Sequence, residues 1–391
     1  MHQGRFVFSQ LTDFISRQQF DLCVERYDGH YYVKHLSCWD HFLALLFGQL
    51  AERPSLRNTV LCLNAHQDKL YHLGFRSTRL VASSLSRASE KRDWRIYRDL
   101  AQILITKARH LYIGQPSKTP LPESTVYLLD ASTIDLCLSL FSWAHFRKAK
   151  AGIKLNVLLE LSALLPVLFV VTPALDHEVK LLDELSIEAG AYYVMDRGYA
   201  DYARLHRIAQ KGAFFIIRAK KNMAWKRLYS KPIGKTHGLR CDQTIRFTGY
   251  VARQRYPDKL RRIKYYDEET GKHYVFLTND SDIEAQLIPD LYKHRWQIEL
   301  FFKWIKQHLK IQVFWGYSYN AVMMQVSVAI CTYVLVSIVK KELDIDADSY
   351  EILQILGVSL LTKDRISALF LQNDKSISDI DKPEPLLLLG F

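Results

Sequence analysis

Three carboxylates stand where they can do chemistry together. Asp130 closes the apolar run Val126–Leu129, and Asp196 closes Tyr192–Met195. Both runs have the make-up of strands buried on two faces, and in α/β sheets functional groups collect at the carboxyl ends of strands. Taken alone, an aspartate in either place also suits a helix cap or a turn. Glu299 shifts the balance. It lies in the stretch YKHRWQIELFFKWIKQHL, residues 292–309, where a carboxylate among apolar side chains is costly unless it is paired or bound to a metal. Arg295, one turn earlier, offers pairing. Two strand-end aspartates and a helix glutamate also make an all-oxygen set suited to Mg²⁺ or Mn²⁺. Two such ions ~4 Å apart activate a water or a 3′-hydroxyl and steady the leaving oxygen in phosphodiester displacement.

The same stretch carries a second pattern. On a helix of about 100° per residue, Tyr292, Arg295 and Lys306 fall within roughly 40° of Glu299, so all four share one face. Leu291, Ile298 and Ile305 form an adjoining apolar face, with Phe301 and Trp304 further round. A polar line on an otherwise buried helix is either a solvated edge or a working surface.

The elements that must position these groups follow from periodicity. Residues 1–118 read as helical, with apolar residues at three- and four-residue spacing in LSCWDHFLALLFGQLAE and DWRIYRDLAQILITKARHLY. GQPSKTPLPES (114–124) reads as a linker. STVYLLDAST, TIDLCLSLFSW and IKLNVLLELSALLPVLFVVTPA read as strands, the last as two joined around Leu161–Pro166. DHEVKLLDELSIEAG reads as an amphipathic helix ending at Gly190, AYYVMDRGYA as a strand and turn, DYARLHRIAQKG as a helix and AFFIIRAK as a strand. Residues 221–283 break that α/β pattern: QTIRFTGYVARQRY, RRIKYYDEE and KHYVFLTND read as antiparallel hairpins, with DEETGK as one turn. AVMMQVSVAICTYVLVSIV (321–339) is nearly long enough to span a bilayer, but contains Gln325, Ser327, Thr332, Tyr333 and Ser337 and has no companion, so it reads as a helix buried against a sheet, with no membrane partner.

Composition limits the partners. The chain has 391 residues, 49% of them hydrophobic, and a formal net charge of +12, which favours a polyanion such as DNA. Between Lys211 and Lys264 there are sixteen Lys and Arg against Asp242 and Asp258 alone, with seven Trp, Tyr and Phe side chains interleaved between Trp225 and Tyr266 (setting aside those in the apolar strand before them). The six cysteines form no C-x-x-C pair and the histidines show no zinc-ligand spacing, as in a reduced cytosolic protein. The N-terminus has no apolar signal region.

LLDAST, VMDRGY and YKHRWQIELFFKWIK resemble the three catalytic blocks of bacterial DDE transposases of the insertion-sequence-four family. The last block of that family is Y-x2-R-x3-E-x6-K, and Tyr292, Arg295, Glu299 and Lys306 match it without a gap. The resemblance covers roughly residues 5–340 and includes SEKRDWRIY (89–97) in an N-terminal region similar to the family's DNA-binding domain. One departure is Ala131, where the family often has Ser or Thr. The resemblance implies an α/β, ribonuclease-H-like mixed sheet flanked by helices, with a β-rich insertion and an N-terminal helical domain. It implies that Asp130, Asp196 and Glu299 hold two Mg²⁺ or Mn²⁺ ions, and that Tyr292, Arg295 and Lys306 contact phosphates beside the cleaved end. Trp296 matches a family aromatic near the distorted DNA end, with core packing as its other reading; Arg197 and Tyr199 are further DNA-contact candidates.

The expected organisation is a helical DNA-binding domain at 1–118, the first part of the catalytic core at 119–220, a basic insertion at 221–283, core completion with the glutamate helix and the buried helix at 284–345, and a helical region at 346–391. The expected activity is transposition in the cytoplasm, at the bacterial nucleoid, on terminal inverted repeats and target DNA, by a homodimer in the DNA complex. Two other readings are open at this point: a metal nuclease of the same fold that does not join strands, and a non-catalytic DNA-binding regulator.

Overall fold

Strand β1 (Val126–Leu136) is an interior strand of the sheet, and its first four side chains, Val126, Tyr127, Leu128 and Leu129, are all buried, alternately on the two faces. The computed structural model describes residues 4–31, 33–113, 119–147, 150–234, 238–309, 311 and 313–371. Ahead of the sheet come six helices, α1 (Val7–Thr12), α2 (Arg17–Arg26), α3 (Cys38–Leu50), α4 (Leu56–Ala65), α5 (Ala82–Lys91) and α6 (Arg95–Tyr112). Ser16, Ser37 and Ser55 cap α2, α3 and α4, each accepting a backbone N–H of the first turn. Part of the expected linker, 114–118, lies outside the described residues.

The sheet continues with β2 (His145–Arg147), β3 (Lys150–Glu160), β4 (Leu165–Pro173), β5 (Tyr192–Met195) and β6 (Phe214–Arg218). β3 pairs antiparallel with β1 and with β4, whereas β5 pairs parallel with β1 and with β6. This is a mixed α/β sheet flanked by helices, as the resemblance implies. Residues 126–136 form one long strand, not the two expected runs. The predicted helix at 176–190 is only a 3₁₀ turn, Glu178–Lys180, and one helical turn, α7 (Leu181–Glu184). Two tyrosines account for the remainder: Tyr127 donates its hydroxyl to Glu188 at 2.5 Å, and the Glu188 N–H donates to the Tyr193 hydroxyl at 3.0 Å. These bonds hold the segment off a helical path.

After α8 (Tyr202–Gln210), capped by Asp201, the sheet is extended by β7 (Trp225–Lys231), β8 (Leu239–Phe247), β9 (Leu260–Asp267) and β10 (Lys272–Thr278), with β10 antiparallel to β6. The hairpin turn at DEETGK is where expected, between the paired Asp267 and Lys272. Part of QTIRFTGYVARQRY is a short helix, α9 (Tyr250–Arg255), entered at Gly249. The basic run is not all surface. Arg261 points inward and pairs with buried Asp242 through bonds of 2.9 and 2.7 Å.

The chain then returns to the first part of the sheet through α10 (Leu287–Lys293), α11 (Trp296–His308) and α12 (Tyr319–Glu342). The expected single helix over 292–309 is broken: His294 and Arg295 donate to the carbonyls three residues back, a 3₁₀ tightening that separates α10 from α11. α12 is the one helix among the described residues long and apolar enough to cross a membrane, and its apolar window is wholly buried. Its packing is chiefly against α6, α3 and α5, with β4 its contact on the sheet. The N-terminal helices therefore share their core with α12 and one sheet face. α13 (Ser349–Ser359) and α14 (Ile366–Leu371) follow; the rest of the expected helical region, 372–391, lies outside the described residues.

Candidate carboxylate site

Two adjacent parallel strands bring the aspartates together. The last β1–β5 pair is Leu129 with Met195, so Asp130 and Asp196 are neighbours one residue further along. Parallel strands lie about 4.8 Å apart, and residues in register point to the same face. β5 ends at Met195, and just past it the Tyr199 N–H closes a 3₁₀ turn onto the Asp196 carbonyl at 3.1 Å.

The glutamate helix faces this edge. Ile298, Phe301, Phe302 and Ile305 bury its apolar side, which turns the opposite side toward β1. Arg295, just ahead of α11, donates Nη1 to Asp130 Oδ2 at 2.8 Å and Nη2 to Glu299 Oε1. Tyr292, at the end of α10, donates its hydroxyl to Asp196 Oδ1 at 3.3 Å. Further along, Lys306 Nζ donates to the Thr133 carbonyl at 2.6 Å. The break between α10 and α11 thus leaves Tyr292, Arg295, Glu299 and Lys306 on the face that meets the strand ends.

The remaining candidates divide. Trp296 is 50% exposed, and Arg197 is exposed on the turn after Asp196. Tyr199 is fully buried, which does not suit the DNA contact expected of it. Among the described residues its hydroxyl has no hydrogen-bond partner, a burial that costs about 1–3 kcal/mol when nothing satisfies it. Two residues outside the expected pattern also stand here. Glu178, five residues past the end of β4, is paired with Lys154 of β3 at 3.2 Å. A carboxylate soon after a strand end was the available signal for it.

Burial dominates the electrostatics of the site. Burial pushes the Asp130 carboxyl up to about 6; the Ala131 N–H and Arg295 oppose the shift, and the charges of Glu178 and Glu299 add to it. Burial likewise pushes the Tyr292 hydroxyl up to about 12, with Asp196 adding to the effect. Burial works against the charge on Arg295, but Asp130 and Glu299 outweigh it and hold the guanidinium above its ordinary value. Burial lowers Lys306.

Among the described residues no three Asp, Glu, His or Cys side chains are already drawn together closely enough to hold a metal ion. The donor set nevertheless suits a hard divalent cation. It offers only carboxylate and hydroxyl oxygens, its carboxylates repel one another, and the unpartnered Tyr199 hydroxyl lies in the field of Asp130, Glu178 and Asp196. The Arg295 guanidinium bridges Asp130 and Glu299, so a cation shared by those two carboxylates would displace it.

The family described as Transposase DDE domain matches residues 121–335, and a domain of unknown function matches residues 3–76. A protein named as a transposase from Sinorhizobium fredii is 36% identical over 215 residues, 54% of this chain and 60% of that protein. A protein named as a transposase for an insertion sequence element from Geobacillus stearothermophilus is 27% identical over 255 residues, 65% of this chain and 66% of that one. The matched region therefore spans somewhat under two thirds of either relative. A solved structure, the piggyBac transposase synaptic complex with hairpin DNA, aligns with 98% of this chain and 87% of its own at 11% identity and a TM-score of 0.47. With the match to residues 121–335 covering every carboxylate of the site, the chain belongs to the transposase DDE domain family.

Proposed function

We propose that the chain is a transposase of the insertion-sequence-four kind, which cuts and joins DNA at the ends of its own insertion sequence. The observation that carries this reading is the pairing of Leu129 with Met195, which sets Asp130 beside Asp196 at the edge where Arg295 reaches both Asp130 and Glu299. In this reading Asp130, Asp196 and Glu299 hold two Mg²⁺ or Mn²⁺ ions. Divalent cations bound there supply Lewis acidity to the phosphate and acidify water.

The chain's own residues do the rest. Arg295 and Lys306, engaged with protein acceptors in this structure, turn to phosphates beside the cut. Tyr292 donates to the same backbone, and the half-exposed Trp296 offers its indole to a base at the distorted end. Arg197 is a further phosphate contact. Water first displaces the flanking strand in line and leaves a 3′-hydroxyl on the element. That hydroxyl attacks the opposite strand and closes a hairpin; water opens the hairpin, and the regenerated 3′-hydroxyl attacks target DNA. Each step exchanges one P–O bond for another, with no covalent protein intermediate.

Residues 1–118 serve as the end-binding domain, and the cationic surface of 221–283, with exposed Tyr229 and Tyr250, runs along the DNA. Two ends must be paired, so the active form is a homodimer on DNA, in the cytoplasm at the nucleoid. The test is incubation of the purified protein with duplexes carrying the sequences that flank its gene. Mg²⁺-dependent nicks ending in 3′-hydroxyls, and joining of a pre-cut end to a second duplex, are expected. Cutting without joining would identify a nuclease, and binding without cutting in either metal would identify a regulator.

A further inference from the structure

A carboxylate outside the three blocks overhangs the same edge. Glu178 opens the 3₁₀ turn that follows β4, and its Oε2 lies over the turn at Arg197–Tyr199. A Cβ built on Gly198 would sit 3.5 Å from that oxygen. The other oxygen, Oε1, takes Lys154 Nζ at 3.2 Å, an amine that also donates to the Asp176 carbonyl at 3.0 Å. Lys154 lies opposite Thr133 in the β1–β3 register, so it holds Glu178 next to β1, three residues past Asp130. The charge of Glu178 is felt at both Asp130 and Tyr199.

The Tyr199 hydroxyl is an independent sign that something binds here. It is wholly buried, without a hydrogen-bond partner among the described residues, and in the field of Asp130, Glu178 and Asp196 together. A buried donor without an acceptor is uncommon, because burial removes it from water and nothing replaces the lost bond. Its placement beside three carboxylates suits a donor whose acceptor arrives, or turns toward it, on ligand binding. Charge balance points the same way. Two divalent cations carry four positive charges, and Asp130, Asp196 and Glu299 supply three negative ones.

We propose that Glu178 is a fourth carboxylate of the cation site, and that Tyr199 is the positioning residue whose hydroxyl fixes the carboxylate oxygens when cations are bound. The proposal rests on the reading of Asp130, Asp196 and Glu299 as cation ligands.

The test is a titration of the full-length, DNA-free protein with Mn²⁺, following the signal of free Mn²⁺ by electron paramagnetic resonance. Thermal melting in chelator confirms that each variant is folded. Glu178→Gln, at a partly exposed position, and Tyr199→Phe, which removes only the unpartnered hydroxyl, are both expected to fold and to bind Mn²⁺ about tenfold more weakly or worse. Glu178→Asp should recover part of the loss. If both variants bind as the wild type does while Asp196→Asn does not, the inference is overturned and the three-carboxylate reading stands. If Asp196→Asn also binds unchanged, or the wild type binds no Mn²⁺, both fall.

Discussion

Arg295 lies between Asp130 and Glu299, with a 2.8 Å bond to the first and a second bond to the other. One guanidinium thus occupies the place between two carboxylates that a divalent cation would share. Replacing it with a neutral side chain leaves the carboxylates facing each other, so Arg295→Gln should lower the melting temperature of the metal-free protein. It should also tighten Mn²⁺ binding several-fold. Unchanged affinity would show that the guanidinium and the cation do not compete.

Asp130 makes the metal-free fold sensitive to pH. Its carboxyl is held up to about 6 by burial, against about 3.9 in an unfolded chain. Between those values the folded protein retains a proton that the unfolded chain has released. Stability from this group is therefore greatest at low pH, falls as pH rises through about 4 to 6, and stays reduced above that. Asp130→Asn should stabilise the metal-free protein at pH 7.5 by at most about 3 kcal/mol, with the gain shrinking toward pH 4. Denaturant melts across that range read the effect, and a variant no more stable than wild type at pH 7.5 would count against it.

Strands β8 and β9 depend on an inward-facing ion pair. Arg261 and Asp242 are 7% and 4% exposed in their side chains, and Arg261 also donates to the Ile283 carbonyl. Removing one partner strands a buried charge, so Asp242→Ala should cost about 3–5 kcal/mol in urea denaturation. An apolar replacement of both residues should recover most of that loss.

Lys306 is tied to the Thr133 carbonyl, so its role in DNA binding is open to a direct reading. As a phosphate contact, Lys306→Gln should reduce the slope of log affinity against log salt by about 0.9 for end DNA. As a tether alone, it should lower stability and leave the slope unchanged.

What was legible in the sequence was whatever burial enforces. VYLLD and YYVMD read as strands ending in aspartates because such runs need two covered faces, and Leu129 and Met195 do pair. The apolar face of Leu291, Ile298 and Ile305 is fully buried, as its spacing predicts. Less legible were features decided by particular tertiary bonds. No Pro or Gly announces the 3₁₀ break at His294–Arg295, and the helical spacing of 176–190 is overridden by Tyr127 and Tyr193 at Glu188. A count of basic residues could not reveal that Arg261 turns inward to Asp242. Nor could a Tyr three residues past a strand-end aspartate be told from a surface contact, since that depends on the turn that buries Tyr199.

The proposed chemistry requires that Asp130, Asp196 and Glu299 act as one site. Its most direct test is single-turnover, Mg²⁺-dependent release of a 3′-hydroxyl at the element's ends by Glu299→Gln. This variant changes only the side chain that comes from outside the sheet. The expected result is a fall of about a thousandfold or more, roughly 4 kcal/mol in the barrier, with end-DNA affinity close to wild type. Cleavage at the wild-type rate would contradict it.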